Sequence, residues 1–375
     1  MERVLLTEAD VVKLVQRLYG LQTTKQTILA SYDDFNIRVI VNGTSRNRHI
    51  KEVSEDGYVL KVLNTVDSKK VEFVGAMHAA IESVSRAGII TSHPVPNIHG
   101  LFHSTECLQS RSGKEGCMFL VRLFQFVPGD LLDGKTYTSQ LCFEAGQLAG
   151  QLSNVLKDFE HPGLVNHSRH WNLREVVNLG DKIDSIVDLE DRKLVREVVE
   201  QFKQNVVGNA NNLLKGTVHA DLNEGNIIVK GSEVSTEGEK SMEFHVHGVL
   251  DFGDLVHEYI VYETAIVTAY MMIESTVLDS IDVAGHTLAG YIKEQQLPAA
   301  DCNVLKECIC ARLAQSFTYG SHEHKLDPTN TYCLRTSEKG WPVLRRLWKI
   351  PKHELYAKWA EILHDYSLTA NIENC

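Results

Sequence analysis

Two short motifs in the second half of the chain limit its fold and chemistry more than any other feature. Residues 219–226 read HADLNEGN and fit the pattern HxDLxxxN, and the triplet DFG follows at residues 251–253. Between the motifs, apolar runs at residues 225–229 and 246–250 flank the polar segment GSEVSTEGEK, which predicts a β-hairpin. With average residue usage, both motifs in this order would arise by chance in on the order of one in a hundred thousand chains. We therefore interpret them as a functional loop and a hairpin.

The polar residues of these motifs are suited to phosphoryl transfer with magnesium. A carboxylate can orient an attacking hydroxyl and accept its proton, and the pattern gives this role to Asp221. Asn226 and Asp251 supply oxygen ligands for a hard Mg²⁺ ion, whose shell is completed by phosphates and waters. A plainer alternative is that His219 and Asp221 form a hydrogen-bonded turn and that DFG ends an ordinary strand.

A lysine in a predicted strand precedes both motifs. The segment YVLKVL at residues 58–63 places Lys61 where the pattern has the lysine that contacts the α and β phosphates of a nucleotide. Its expected partner is a glutamate on the following helix, for which Glu72 is our candidate and Glu82 an alternative. Gly75 stands at a position where this glutamate could equally be expected. Taken alone, Lys61 could also be a solvated strand lysine.

The chain has no GxGxxG loop before Lys61, so another segment would have to cover the phosphates. The polar turn SYDDFN at residues 31–36 enters a strand, and its backbone amides and the Ser31 hydroxyl could contact phosphates. A simple Asx-rich turn explains the same residues equally well. The missing glycine loop separates this chain from true protein kinases.

The hydrophobic pattern predicts a strand-rich first third with helices, followed by a mainly helical remainder. The predicted early elements are a helix after the N-cap Thr7, strands at residues 35–42, 58–63 and 118–126, and a helix at residues 71–86. After Pro128 and Gly129, apolar residues recur on one helical face as far as Phe159.

These elements predict an α+β, bilobal, protein-kinase-like fold. We expect an N-lobe at residues 1–125 with a five-stranded antiparallel sheet, and a mainly helical C-lobe at residues 126–375. The lobes would meet at a hinge near residues 123–129, whose backbone would bind the nucleotide base.

The composition of the chain indicates which kinds of partner it binds and in which cellular compartment it works. The formal net charge of −11 argues against nucleic acid or an anionic membrane as the main partner, because both are bound by clustered Lys and Arg. The eight cysteines form no CxxC pair, which is typical of reduced intracellular thiols. The N-terminus carries Glu2, Glu8 and Asp10 and fits neither a secretory signal nor a transit peptide. We expect a cytoplasmic protein.

The motifs resemble those of the aminoglycoside phosphotransferase and choline kinase superfamily, whose loop usually reads HGDLxxxN and is followed by IDFGD. This chain reads VHADLNEGNIIV and GVLDFGD, with Ala220 in place of the usual Gly. Because Ala is small, we expect the turn to persist. Segments across nearly the whole chain resemble the hydroxylysine kinase family: ILASYDDFNIRV, YVLKVLN, FLVRLFQFVPGDLL, VLDFGDLVHEYIVYETAIVTAYMMIES and GHTLAGY. Phe35, where the family usually has Gln, and Gly75 depart from the pattern.

The resemblance implies a cytoplasmic enzyme of amino-acid catabolism that uses Mg²⁺ and transfers phosphate from GTP to the side-chain hydroxyl of 5-hydroxy-L-lysine. The sequence itself does not distinguish GTP from ATP. This cationic acceptor carries two ammonium groups, so acids close to DFG are candidate ligands: Asp254, Glu258 and Glu263. Trp171 could pack against the acceptor. Each acid could equally be structural or solvated, and tryptophans commonly belong to a core.

Other functions stay open. A different acceptor such as choline, homoserine, an aminoglycoside or a thiosugar would need the same chemistry. A nucleotide-binding module without turnover is disfavoured, because the motif residues that catalysis needs are all present. A metal site built from Cys308 and Cys310 with His322 and His324 is also disfavoured, since cysteines two apart on a helix point about 200° from each other.

Overall fold

The computed structural model describes residues 1–31, 33–165, 167–236 and 239–371. The chain divides into two compact units, Met1–Pro128 and Gly129–Cys375. The α-helices are α1 Glu8–Tyr19, α2 Val71–Arg86, α3 Ser139–Leu156, α4 Leu189–Phe202, α5 Ile260–Glu274, α6 Ser280–Glu294, α7 Ala299–Leu326, α8 Arg335–Lys349 and α9 Lys352–Asp365. The strands are β1 Leu21–Leu29, β2 Phe35–Ser45, β3 Tyr58–Val62, β4 Pro94–Val95, β5 Ser104–Cys107, β6 Met118–Gln125, β7 Asp130–Leu131, β8 Lys215–Val218, β9 Ile227–Thr236, β10 Glu239–Val249 and β11 Val256–Tyr259.

An antiparallel sheet forms the centre of the first unit. Its order is β1-β2-β3-β6-β4, and β5 also pairs with β6. Within residues 1–31 and 33–128 the sheet therefore has six strands, and the expected number of five was wrong. The difference arises because β4 spans only two residues and β5 only four, which is too short for an alternating apolar pattern. The predicted antiparallel sheet itself is confirmed.

Helix α1 begins where the capping residues in the sequence predict. Thr7 caps α1, and its side chain and that of Asp10 bond to each other's backbone N–H groups in a capping box. The apolar face of α1 is buried in the core of this unit through Val11, Leu14 and Val15, which are inaccessible or nearly so.

On β3, Lys61 lies opposite Arg122 of β6 in the strand register.

The second unit is mainly helical, as predicted, with two small antiparallel sheets. The hairpin of β9 and β10 is confirmed, and its strands extend into the polar segment between the two apolar runs. Residues 237 and 238 at its centre lie outside the described part of the chain. β8 pairs with β11. Every residue of α5 is buried, so this helix lies in the interior of the unit.

No helix in the described part of the chain is both long and apolar enough to cross a membrane.

Helices α3 and α6 approach each other through glycines. Gly146 of α3 lies against the backbone of Thr287, and Gly290 of α6 lies against the carbonyl oxygen of Phe143. A Cβ atom at either position would overlap these backbone atoms, which cannot move away as a flexible side chain can. The glycines therefore set the distance between the two helices.

We expect Gly290→Ala to lower the free energy of unfolding of the second unit by about 3 kcal/mol, because the added methyl overlaps backbone at a packed helix contact. The measurement is urea unfolding followed by circular dichroism at a helical wavelength. Gly43→Ala in β2 is the control, since a Cβ there meets no atom within 4 Å. Equal stability of Gly290→Ala and the unaltered protein would contradict this account of the helix contact.

Candidate active site

The HxDLxxxN motif forms the loop between β8 and β9, and it holds Asp221 in a fixed orientation. The Asp221 carboxylate accepts hydrogen bonds from Asn223 Nδ2 at 3.0 Å, Asn226 Nδ2 at 2.8 Å and Arg312 Nη2 at 3.0 Å. Three donors from two parts of the chain therefore restrain its rotation. The side chain nevertheless keeps 23% of its surface exposed. This combination suits a carboxylate that must meet a reactant in a defined geometry.

His219 connects this loop to the end of β10. Its Nε2 lies 3.0 Å from the carbonyl oxygen of Leu250, and its Nδ1 accepts from the backbone N–H of Asp221 at 3.3 Å. Burial lowers the pKa of His219 to about 4, so the ring is neutral and carries its proton on Nε2. The ring also packs edge-on against Phe252, with 4.8 Å between centroids. His219 therefore positions the loop and the DFG triplet relative to each other.

Ala220 takes the backbone conformation that the usual glycine would have. Its φ is 66°, in the left-handed region, so the turn persists with Ala as expected. Its backbone N–H donates to Glu263 Oε2 of α5 at 2.9 Å. Glu263 is only 1% exposed, and burial raises its pKa to about 7. The structure therefore places Glu263 beneath the loop, as a support for its backbone.

Asn226 and Asp251 are the residues that could hold a divalent cation. Asn226 donates from Nδ2 to both the carbonyl and the carboxylate oxygens of Asp221, each at 2.8 Å, and so its Oδ1 is the atom available to a cation. Asp251 is exposed, and its Oδ1 accepts the backbone N–H of Gly253 at 3.1 Å. Its φ of 58° is unusual for a non-glycine residue.

This donor set fits Mg²⁺, which commonly takes one or two protein oxygens and completes its shell with phosphates and waters. Among the described residues no group of three or more His, Cys, Asp or Glu side chains could hold a metal by itself. A cation here would therefore need ligands from a bound phosphate compound, as a metal–nucleotide complex provides.

Arg312 of α7 is a site residue that the sequence analysis missed. It is 1% exposed and donates to Asp221, to the carbonyl oxygen of Trp171 at 2.9 Å and to Gln315 Oε1 at 3.2 Å. Its guanidinium also lies 5.3 Å from the ring centroids of Trp171 and Tyr270. The one signal in the sequence was that Arg312 is the only charged residue in the segment CICARLAQSF.

The remaining predicted acceptor ligands lie in polar networks of the same unit. Asp254 pairs with Arg169, whose Nε lies 3.0 Å from Asp254 Oδ1. Glu258 is buried and accepts from Asn172 Nδ2 at 3.3 Å. Trp171 is half-buried and packs edge-on against Tyr319, with 5.0 Å between centroids. Arg169 also donates to the carbonyl oxygen of Gly253 at 2.8 Å, and Trp171 is linked to Asp221 through Arg312. Glu258 joins the same network, because Asn172 accepts a hydrogen bond from Gln315, which in turn accepts one from Arg312.

The carboxylates around the loop influence each other's protonation. Burial raises the pKa of Asp221, the neighbouring Asp254 raises it further, and Arg312 opposes both effects. Burial likewise raises the pKa of Asp254, while Arg169 and Arg312 oppose the rise. A carboxyl group whose pKa is raised towards neutrality is a stronger base than an ordinary aspartate.

The predicted phosphate ligands belong to the first unit. Lys61 is half-buried on β3, with its ammonium 5.9 Å from the Phe124 ring centroid. Glu72 is exposed in the first turn of α2, and Glu82 pairs with Arg86 one turn away.

Ser31 is exposed, and its hydroxyl accepts the backbone N–H of Asp34 at 3.1 Å, which stabilises the polar turn locally. Tyr32, within the same turn, lies outside the described residues.

Known proteins resemble the chain over most of its length. Residues 36–296 match the model of the phosphotransferase enzyme family. Hydroxylysine kinase of Mus musculus is 33% identical over 367 residues, which cover 96% of this chain and 94% of the relative. The hydroxylysine kinase of Bos taurus is 31% identical with the same coverage. The predicted resemblance to hydroxylysine kinases is therefore confirmed.

Solved structures share the fold. An amicoumacin kinase in complex with AMP-PNP, Ca²⁺ and Ami superposes with a TM-score of 0.61 at 18% identity, covering 98% of this chain and 94% of that one. A microcompartment-associated aminopropanol kinase gives a TM-score of 0.64 at 15% identity, with 90% and 97% covered. The predicted kinase-like α+β fold is confirmed by these similarities.

The buried Glu263 predicts a pH dependence of stability. Its pKa rises from an ordinary value of 4.5 to about 7 on folding, so the folded chain binds this proton more tightly than the unfolded chain does. Protonated Glu263 therefore stabilises the folded chain at low pH, and this stabilisation is lost as the pH rises from about 4.5 to 7. Glu263→Gln keeps an acceptor oxygen for Ala220 but cannot ionise. We therefore expect the free energy of unfolding of Glu263→Gln, relative to that of the unaltered protein, to increase by on the order of 2 kcal/mol between pH 5 and pH 8.

The measurement is urea unfolding at several pH values between 5 and 8. Exposed Glu190→Gln on α4 is the control and should follow the unaltered protein throughout. Parallel pH curves for Glu263→Gln and the unaltered protein would show that Glu263 does not titrate in this range.

Proposed function

We propose that this chain, which belongs to the phosphotransferase enzyme family, transfers the γ-phosphate of GTP to the side-chain hydroxyl of 5-hydroxy-L-lysine. The general class is established: the chain is a phosphotransferase with an alcohol group as acceptor. The acceptor is proposed from the hydroxylysine kinases that share about a third of its residues. The observation that supports the chemistry most strongly is the Asp221 carboxylate, which three donors orient while part of it stays exposed.

In this proposal Asp221 is the catalytic base. It accepts the proton of the acceptor hydroxyl as that oxygen bonds to the γ-phosphorus, and the bond from the γ-phosphorus to the bridging oxygen breaks to release the nucleoside diphosphate. Asn223 and Arg312 hold the carboxylate so that its exposed part faces the hydroxyl. The raised pKa of Asp221 helps it to accept the proton.

Asn226 Oδ1 and the Asp251 carboxylate would hold Mg²⁺, which when bound neutralises charge on the phosphates of the donor. Asn226 also donates to Asp221, so the base and the metal ligand share one hydrogen-bonded loop. Lys61 is proposed to contact the α and β phosphates, with Glu72 as its partner and Ser31 as a further phosphate ligand. Asp254, Glu258, Glu263 and Trp171 stay proposals as acceptor ligands, and the burial of Glu263 favours a supporting role for that residue.

We propose GTP as donor on the resemblance alone, and ATP is the alternative. A cytoplasmic location is proposed from the cysteines, because those in the described part of the chain are all free thiols. The net charge of −11 supports small cationic molecules, rather than nucleic acid or anionic membranes, as partners.

A phosphate-transfer assay with Mg²⁺ tests the reaction and both substrates. We expect GTP-dependent phosphorylation of 5-hydroxylysine, and none of lysine, which differs only by the acceptor hydroxyl. Homoserine, choline and kanamycin complete the acceptor panel, and ATP is compared with GTP. Turnover of another acceptor would discard hydroxylysine while keeping the chemistry. A folded protein that binds nucleotide but phosphorylates none of these acceptors would favour a binding module.

Substituting the two aspartates should separate catalysis from metal binding. Asp221→Asn preserves the size of the side chain but removes the base, so we expect kcat to fall about 100- to 10,000-fold with nucleotide affinity nearly unchanged. Asp251→Ala removes a metal ligand, so nucleotide affinity in the presence of Mg²⁺ should fall more than about tenfold. Calorimetric titration of nucleotide with and without Mg²⁺ measures the second effect. Normal turnover of Asp221→Asn would exclude Asp221 as the base.

A further inference from the structure

Two positive charges lie side by side on one face of the sheet in the first unit. Lys61 of β3 and Arg122 of β6 are directly opposite each other in the antiparallel register. Side chains at opposed positions of neighbouring strands point to the same face and start about 5 Å apart. Lys61 is half-buried, whereas Arg122 is only 5% exposed. The lysine that the motif pattern assigns to the phosphates therefore has a buried arginine as its cross-strand neighbour.

One aromatic ring contacts both cations. Phe124 lies two residues beyond Arg122 on β6 and points to the same face, because side chains alternate along a strand. Its ring centroid lies 5.2 Å from the guanidinium carbon of Arg122 and 5.9 Å from the ammonium nitrogen of Lys61. Both distances fall within the range of cation–π attraction. The shared ring thus keeps the two charges close to each other.

Helix α2 covers this part of the sheet with neutral side chains. Met77 Sδ lies 3.9 Å from Arg122 Nη1, and the His78 ring packs edge-on against Phe124, with 6.0 Å between centroids. Burial, and after it the charge of Arg122, lowers the pKa of His78 to about 3, so this ring is neutral. The α2 side chains that contact the arginine and the ring therefore add no negative charge.

The two glutamates of α2 are exposed, and Glu82 pairs with Arg86 of the same helix. Like charges opposite each other on a sheet face oppose folding, and burial of a guanidinium is costly. An anion bound at this face is attracted by both cations at once. Because Arg122 is buried, dissolved salt screens its part of that attraction only weakly.

We propose that Arg122 supplies a second positive charge to the phosphate site of Lys61 and thereby increases the affinity for the polyphosphate of the donor nucleotide. The inference rests on the proposed function, because it takes Lys61 as a phosphate ligand. Arg122 is a positioning residue, whose charge attracts the phosphates that Lys61 contacts. A triphosphate carries more negative charge than a diphosphate, and a nucleoside carries none. The contribution of Arg122 therefore increases with the number of phosphates.

The test is Arg122→Met in the full chain, with calorimetric titration of GTP, GDP and guanosine. We expect the affinity for GTP to fall by about 10- to 100-fold, that for GDP to fall by a smaller factor, and that for guanosine to stay unchanged. Arg122→Lys keeps the charge and should recover most of the affinity for GTP. Arg17→Met is the control, because it removes the same side chain from an exposed position on α1 of the same unit. A chain that prefers ATP is titrated with ATP, ADP and adenosine instead.

The outcomes separate this charge from the proposed reaction. Equal GTP affinity in Arg122→Met and the unaltered protein would overturn the inference, whichever acceptor is phosphorylated. Loss of affinity by one common factor for GTP and GDP would also overturn it, since a structural defect does not count phosphates. GTP binding that depends on Arg122, in a chain that does not phosphorylate 5-hydroxylysine, would keep the inference and discard the acceptor. Circular dichroism shows whether Arg122→Met folds, and Arg122→Gln, which is polar but uncharged, carries the same test if it does not.

Discussion

The buried ion pair between Arg312 and Asp221 is the interaction on which the rest of the site depends. Burying a guanidinium that is 1% exposed costs several kcal/mol, and hydrogen bonds made by its two Nη groups offset that cost, while its buried Nε bonds to no described residue. The carbonyl oxygen of Trp171 and the Gln315 amide oxygen accept two of its hydrogen bonds. Gln315 in turn donates to the carbonyl oxygens of His170 and Asn172. The segment between α3 and α4 is thus held against α7 by the same network that orients the catalytic carboxylate.

This network explains which parts of the site the sequence could reveal. Asp221 and Asn226 lie within six consecutive residues and are joined by a hydrogen bond that follows from local spacing, so the motif predicted them together. Asn223, which also donates to Asp221, stands at an unspecified position of the motif and was not predicted. Arg312 reaches Asp221 from 91 residues away, through the packing of α7 on the rest of the unit. No local pattern records such a contact.

The secondary structure likewise includes elements that the sequence predicted and elements that it did not. Elements with a clear apolar period, such as α1, β3 and β6, were predicted within a few residues, whereas β1 was not predicted at all. Its sequence LQTTKQTIL is mostly polar and most of its residues are not buried, so its membership of the sheet depends on pairing with β2 rather than on an apolar face. The roles of Lys61, Ser31 and Glu72 towards a nucleotide stay predictions, since they require a ligand to test.

The acids near the loop differ in how each one is compensated, and this difference assigns them different roles. Glu263 accepts a backbone N–H, Asp254 has Arg169, and Glu258 has Asn172, so each contributes to the structure of the folded chain. Within the loop itself, Asn223 holds Asp221 through Nδ2 and accepts the N–H of Gly225 at 2.8 Å through Oδ1.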